Sequence, residues 1–238
     1  MSIFKFIAEM LVFVAVIAVI ARLCERSAAG KQASGKTITT KKIVMAGLFS
    51  AISGVLMCLE FPLLFLAPSF YKLDFSEVPV LILSFAYGPV AGVLCQFGKI
   101  LVKLLLKGST SAFVGELADF VIGCALILPA GVVYRFLRTK KGAGAACIVG
   151  TVSMTVVGAL VNAFYLLPTF SQMYGIPLEK IVQMGQAVPL FGKAIRGTGT
   201  LVLFCVVPFN LIKGGVTSLV TMLLYKKLSP MLKNTDQK

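Results

Sequence analysis

Long apolar stretches separated by short polar segments make up most of this chain. About 20 apolar residues are needed for a helix to cross the hydrocarbon core of a bilayer. Apolar stretches lie near residues 3–22, 43–60, 75–87, 90–107, 113–134, 145–167 and 199–225. The pattern therefore predicts an all-α integral membrane protein with seven helices.

Two of these stretches depart from the simple pattern. As a helix, residues 75–87 would reach only about 20 Å against a core of about 30 Å, so we expect them to begin from a loop that dips into the membrane. Residues 3–22 include Lys5 and Glu9 but no small-residue cleavage site, which indicates an anchor helix rather than a removed signal peptide.

Composition agrees with a membrane protein, and the basic residues predict its orientation. Of the 238 residues 58% are hydrophobic and 13% charged, and the mean hydropathy is +0.95. The positive-inside rule assigns the three most basic segments to the cytoplasm, with the amino terminus outside the plasma membrane and the carboxyl terminus inside. This topology and anionic lipid explain the net charge of +14 without a nucleic-acid partner. The basic residues of these segments are Arg22, Arg26, Lys31, Lys36, Lys41 and Lys42; Arg135, Arg138, Lys140 and Lys141; and Lys226, Lys227, Lys233 and Lys238.

The segment GKQASGKT, residues 30–37, matches the phosphate-binding pattern G-x-x-x-x-G-K-[ST]. That pattern binds phosphate where a buried strand enters the loop and a helix leaves it. Here the segment lies between two predicted membrane helices, and its Gly, Ala, Ser and Lys residues are typical of a flexible linker. We therefore interpret it as a coincidental match, so that any ATP hydrolysis must come from another chain.

Few residues suit a catalytic or metal site. The chain has no His, and its six Cys form no C-x-x-C pair. Glu116 and Asp119 are spaced i, i+3 on one predicted helix and could serve an intramembrane enzyme, although a hard cation needs more oxygen ligands than these two supply. The alternative is a polar helix start, where carboxylates are favoured.

Three polar side chains lie within apolar helices, where they are costly. Lys213 is about 18 Å from the cytoplasmic end of its helix, so it should face a cavity or a partner. Asn210 precedes it by three residues on nearly the same face, and Pro208 is expected to kink the helix there. Asn162 lies shortly before Pro168, which is expected to end its helix. Hydrogen bonds that merely join helices remain an alternative for these residues.

Two long connections are predicted on the outer side, at residues 61–78 and 168–198. The first is rich in aromatic residues, and the second has three Pro and several Gly. Together they suggest a lid over a ligand site. An interfacial aromatic belt is the alternative explanation for Phe70 and Tyr71.

Several motifs within residues 41–228 carry a family resemblance: LEFPLLFLAPSFYKLDFSEVP, YGPVAG, GST with GELADF, NAFYLLP and PFNLIKG. In this order and spacing they resemble the riboflavin-binding S components of energy-coupling factor (ECF) vitamin transporters. The resemblance implies a six-helix bundle that captures riboflavin from outside the cell. It also implies a membrane scaffold (T) subunit and two cytoplasmic ATPase subunits as partners, and no cofactor.

The resemblance implies a substrate site as well. Asn162, Asn210 and Lys213 match positions that hydrogen-bond the flavin, and the loop 72–76 would close over it. An Asn amide matches the alternating acceptors and donor of a flavin edge, and a Lys can donate to a carbonyl or a ribityl hydroxyl. The remaining candidate substrate-binding residues are Lys72, Asp74, Glu116 and Tyr165.

The chain departs from the family pattern at its amino-terminal part. Residues 1–42 would add a seventh helix and a basic linker to the substrate-binding domain, residues 43–238. The first helix of the family domain docks the scaffold through small residues, which here are expected to be Ala46, Gly47, Ser50, Ala51 and Gly54. Packing within the chain's own bundle is the alternative for this face. An S component for another vitamin or heterocycle remains the alternative function.

Overall fold

The computed structural model describes residues 12, 15–17, 19–23 and 39–234, and within that part of the chain the fold is a bundle of helices. Among the described residues, five helices are long and apolar enough to cross a membrane. They are α1 (Thr40–Cys58), α3 (Pro89–Lys107), α4 (Val114–Phe136), α5 (Lys140–Tyr174) and α7, which begins at Thr198 and whose last segment is Val207–Asn234. Two shorter helices, α2 (Glu77–Tyr87) and α6 (Leu178–Gln186), complete the set.

The predicted apolar stretches therefore correspond to helices, with one exception at the amino terminus. The stretch 75–87 forms the 11-residue helix α2, as its short length predicted. Of the stretch 3–22, residues 15–17 and 19–22 are helical, and most of the rest lies outside the described residues, as do the linker and its GKQASGKT segment.

Successive helices place the polar segments at two ends of the bundle. Between α1 and α2, the pair β1 (Phe61–Pro62) and β2 (Lys72–Leu73) forms a small antiparallel hairpin, in which Phe61 pairs with Leu73. We call this side the hairpin end. The start of α1, the turn between α2 and α3, and the end of α4 lie at the other side, which we call the basic end.

Neither Pro168 nor Pro208 ends its helix, so the predicted helix end at Pro168 is wrong. A π-helical segment lies just before each proline, at Asn162–Leu166 in α5 and Val202–Val206 in α7. A proline ring clashes with the carbonyl four residues earlier in an α-helix. Those carbonyls, of Phe164 and Phe204, lie inside the wider π turns, which explains why both helices continue.

The second predicted outer connection is consequently shorter and more regular than expected. It begins after Tyr174 and contains α6 and a turn of 3₁₀-helix at Gly192–Ala194. Buried side chains of this segment and of the hairpin loop, among them Leu66, Tyr71 and Ile181, belong to one apolar cluster with α5 and α7. Both connections are therefore packed onto the hairpin end of the bundle.

Candidate functional site

A cavity of about 460 Å³ lies at the hairpin end, between the helices and the two packed connections. This volume is within the range of small-molecule sites. Its apolar and aromatic lining comes mainly from the hairpin loop, the end of α5 and α6, and comprises Phe70, Phe170, Tyr174, Ile176, Ile181 and Met184. Its charged lining comes from the hairpin, α3, α4 and α7, and comprises Glu60, Lys72, Asp74, Lys103, Lys107, Glu116, Asp119 and Lys213.

Lys213 reaches the cavity from α7 and is paired with two carboxylates. Its Nζ lies 3.0 Å from Oδ2 of Asp74 and 3.7 Å from Oδ1 of Asp119. Asp74 also accepts a hydrogen bond of 2.8 Å from the backbone N–H of Ser76. Burial alone would raise the pKa of Asp74, but attraction to Lys213 and Lys99 outweighs it, so this pKa lies below its ordinary value. The depth of Lys213 thus predicted its need for a partner, which the hairpin loop supplies.

A second buried lysine, Lys99 of α3, extends this network away from the cavity. Its Nζ lies 2.7 Å from Glu77 and 3.1 Å from Asp119 Oδ2, and it donates to the hydroxyl of Ser76. Asp119 therefore lies between Lys99 and Lys213. Because a buried charge is tolerated only when it is paired, these groups fix the hairpin loop to three helices.

Glu116 belongs to a separate group beside the cavity and does not pair with Lys213. It accepts hydrogen bonds from Lys103, Ser109 and Ser111. Ala112 and Phe113, in the same loop, have φ angles of 45° and 71°, in the left-handed region that non-glycine residues seldom adopt. The loop before α4 is thus held in a strained conformation that directs two serines at Glu116. Among the described residues, no group of three or more His, Cys, Asp or Glu side chains could hold a metal ion.

The mouth of the cavity is bridged by Glu60. Its carboxylate lies 2.7 Å from Nζ of Lys72 on the hairpin and 2.6 Å from Nζ of Lys107 at the end of α3. Burial would raise the pKa of Glu60, but the hydrogen bonds from Lys107 and Lys72 outweigh it and lower this pKa. The side chains of Lys72 and Lys107 are about 40% exposed, so this bridge lies on the open side of the cavity.

Asn162 and Asn210 are not among the residues that line the cavity, and both are buried beside Gly158. Asn210 is close to Gly158, at which an added Cβ would lie 2.8 Å from the Asn210 Nδ2. Asn162 donates to the Gly158 carbonyl at 2.7 Å, and its Oδ1 accepts a hydrogen bond of 2.8 Å from the Tyr71 hydroxyl. Tyr71 is buried and contacts Phe209, so an interfacial belt does not explain this residue.

Tyr165, the remaining candidate of the substrate set, lies outside the cavity lining. It is half-buried at the π segment of α5 and packs against two of the apolar clusters. The structure thus brings Lys72, Asp74, Glu116 and Lys213 to one cavity and leaves Tyr165 beside it.

The five small residues of α1 divide between two faces. Ala46, Ser50 and Gly54 are buried, and Ser50 donates to the Cys95 carbonyl of α3 at 3.1 Å. They pack inside the bundle, as the alternative reading of this face expected, and are not on its outer surface. Gly47 and Ala51 are exposed.

Sequence reasoning missed several residues of this site, and a signal in the sequence pointed to two of them, Lys99 and Lys103. Glu60, Tyr71, Glu77 and Lys107 belong to no candidate set. Lys99 and Lys103 are spaced i, i+4 on α3, while Glu116 and Asp119 are spaced i, i+3 on α4. Two matched cation–carboxylate pairs between adjacent helices could have been inferred from this spacing.

Comparison with known proteins assigns the chain to a family. The family described as "ECF transporter, substrate-specific component" matches residues 41–225. The chain belongs to this family of ECF S components.

Relatives of the S component are riboflavin transporters. This chain is 33% identical to riboflavin transporter FmnP of Bacillus subtilis over 193 aligned residues. The aligned region covers 81% of this chain and 94% of FmnP. It is also 33% identical to riboflavin transporter RibU of Staphylococcus aureus, over 81% of this chain and 93% of the relative. A solved structure described as "Structure and mechanism of the S component of a bacterial ECF transporter" matches with a TM-score of 0.61 and 34% identity, over 81% of this chain and 98% of the other. The S component is therefore a transporter subunit and not an enzyme, which excludes the intramembrane-enzyme interpretation of Glu116 and Asp119.

Proposed function

We propose that this S component binds riboflavin in the cavity at the hairpin end. The observation that supports this most strongly is the position of Lys213, which lines a cavity of about 460 Å³, while the buried Asn210 lies one turn earlier on α7. The relatives named as riboflavin transporters agree with this ligand.

The chemistry of the cavity suits a flavin. The ring system is flat and apolar on both faces, which matches the aromatic side chains Phe70, Phe170 and Tyr174. Its polar edge alternates carbonyl acceptors with an N–H donor, which an Asn amide can match, while Lys213 can donate to a carbonyl or a ribityl hydroxyl.

Riboflavin can reach Asn162 only if Tyr71 moves. The Tyr71 hydroxyl already donates to Asn162 Oδ1, and its ring packs between Phe70 and Phe209, with ring centroids 4.5 Å and 5.8 Å apart. We propose that the ligand edge replaces the Tyr71 hydroxyl at Asn162 and thereby also meets Asn210, which lies beside Asn162 at Gly158. The hairpin loop then shifts and closes over the ring through Lys72 and Asp74.

The same proposal includes the membrane topology and the partners. We assign the six-helix substrate-binding domain to residues 43–238; the predicted amino-terminal helix and basic linker, residues 1–42, lie mostly outside the described residues. The hairpin end faces the outside, because the basic end collects Lys and Arg. Riboflavin transport requires a T subunit and two ATPase subunits, since we assign no ATPase site to this chain.

Riboflavin titration of the purified protein tests the proposal. Quenching of flavin fluorescence should saturate at one riboflavin per chain, and unlabelled thiamine or biotin at 100-fold excess should not compete. Absence of quenching, or competition by another vitamin at equal concentration, would contradict riboflavin as the substrate and favour a different heterocycle.

A further inference from the structure

A second cavity, of about 470 Å³, lies at the basic end, opposite the proposed riboflavin site. The start of α1, the turn between α2 and α3, the end of α4 and Tyr225 of α7 enclose it. It shares no lining residue with the cavity at the hairpin end.

Basic side chains converge on this cavity from two helices. Lys41 and Lys42 approach from α1, and Arg135 and Arg138 from the end of α4. None of the described residues that line the cavity is acidic. Lys41 lies over the ring of Tyr87, 5.8 Å from its centroid, so an incoming anion would add to contacts that already hold this cation in place. The cavity is therefore suited to an anion.

Three aromatic side chains form a packed layer beneath these cations. Phe85 stacks on Tyr134 with ring centroids 4.5 Å apart, and Tyr225 meets both rings edge-on at 5.6 Å. All three side chains are buried. Because the three rings are packed against one another, this layer keeps its shape when an anion binds above it. The cavity is therefore formed in advance of its ligand.

The position of the cavity identifies the source of the anion. Exposed apolar side chains lie directly beside the cations: Ile43 and Val44 follow Lys42 on α1, and Phe136 and Leu137 lie between the two arginines. The cavity thus lies where the lipid-facing surface of the bundle gives way to a basic rim, at the level of lipid headgroups. Basic pockets between transmembrane helices at this level suit anionic headgroups.

We propose that this cavity binds the phosphate of an anionic phospholipid. Two arginines supply paired N–H donors for phosphate oxygens, and the two lysines add charge from the opposite helix. The acyl chains would lie along the exposed apolar side chains of α1 and α4. The site thereby joins the ends of these two helices through a lipid.

Native mass spectrometry of the full chain, titrated with phosphatidylglycerol or phosphatidylcholine, tests this site. Wild type should bind phosphatidylglycerol preferentially. The double variant Arg135→Gln/Arg138→Gln should lose about 25-fold in affinity, at roughly 5-fold for each arginine that no longer donates hydrogen bonds to the phosphate. The matched control Lys140→Gln/Lys141→Gln removes two charges from the same end but outside the cavity, and should lose less than about twofold. Should the double arginine variant not fold, Arg138→Gln changes an exposed side chain and should lose about 5-fold.

Three results would overturn the proposal. Equal losses in the arginine and lysine double variants would indicate diffuse surface charge rather than a site. No loss in the arginine variants would exclude the cavity. Saturable binding of inorganic phosphate that removes the preference for phosphatidylglycerol would assign the cavity to a soluble anion instead of a lipid.

Discussion

At the residue scale, the free-energy cost of burying the Lys213 ammonium predicts that this side chain has a partner. Its depth in an apolar helix requires a partner, and the structure supplies Asp74 and Asp119. Glu116 of the neighbouring helix α4 is not this partner, because its carboxylate is held by Lys103 and two serines. That Asp74 is the partner of Lys213 could not be predicted from the sequence. Asp74 lies on a loop 139 residues from Lys213, and its position depends on the packing of that loop.

Lys213→Met should lower both stability and riboflavin affinity. Without its ion pair, buried Asp74 keeps an uncompensated charge, which costs about 3–5 kcal/mol. Loss of a charge-assisted bond to the ligand should weaken affinity by about 10- to 150-fold. Thermal melting in detergent and flavin quenching measure the two effects.

The double variant Lys213→Met/Asp74→Asn is the control for that result. It removes the stranded charge, so it should regain much of the stability but none of the affinity. A single variant that melts at the wild-type temperature would contradict the Lys213–Asp74 pair.

Tyr71→Phe tests whether the Tyr71 hydroxyl competes with the ligand. The variant keeps the ring contacts but leaves Asn162 Oδ1 without its bond from Tyr71 in the free protein. Riboflavin should then bind about 3- to 10-fold more tightly, because one bond worth about 1 kcal/mol no longer has to be broken. Weaker binding in the same titration would instead mean that the hydroxyl contacts the ligand.

At the scale of elements, hydropathy predicted the helices well and their ends less well. The predicted stretch 90–107 and helix α3, Pro89–Lys107, differ by one residue. The continuation of α5 past Pro168 was not predicted, because a proline usually ends or kinks a helix and the π turn that accommodates it is a rare backbone adjustment. Likewise the hairpin loop is packed rather than loose, since Leu66 and Ala67 are buried against the helices.

The difference between the buried and the exposed small residues of α1 leads to a prediction about docking of the T subunit. A Cβ at Gly54 would lie 2.5 Å from Val102 Cβ and 3.1 Å from the Lys99 carbonyl, whereas nothing lies within 4 Å of one at Gly47. Gly54→Leu should therefore destabilise the bundle by at least about 1–3 kcal/mol, and Ser50→Leu should act similarly. Gly47→Leu should leave melting and riboflavin binding unchanged but weaken co-purification with the T subunit.

Ala51→Leu, on the same exposed face, is the companion variant for Gly47→Leu. Both should reduce co-purification with the T subunit, as measured by pull-down from membranes. Full co-purification of both variants would remove this face from the docking surface.

At the scale of the whole molecule, the two ends of the bundle have different chemistry. The hairpin end holds a cavity lined by charges of both signs, and in the cavity at the basic end every charged residue among the described lining residues is a cation. Sequence motifs pointed to the first cavity through Lys213 and the hairpin loop. The second could not be predicted, because its cations come from residues about 95 positions apart that meet only in the folded bundle.

The segment GKQASGKT, residues 30–37, which matches the phosphate-binding pattern, leads to a prediction for the assembled transporter. Lys36 lies outside the described residues, and we assign it only to topology and to a linker. Lys36→Ala should therefore leave riboflavin uptake unchanged within about twofold. Complete loss of uptake with normal membrane insertion would require a phosphate-binding role for this segment.

The most direct test of the riboflavin site compares two polar residues on one helix. Asn210 is buried one turn before the cavity-lining Lys213, and Thr217, also buried, lies two turns further than Asn210 toward the basic end. Flavin-fluorescence titration should give about 10-fold weaker riboflavin binding for Asn210→Leu, because an unpaired ligand edge is left facing an apolar group. Thr217→Val should bind within twofold of wild type. Equal affinities for the two variants, whether both weakened or both unchanged, would contradict the proposed site.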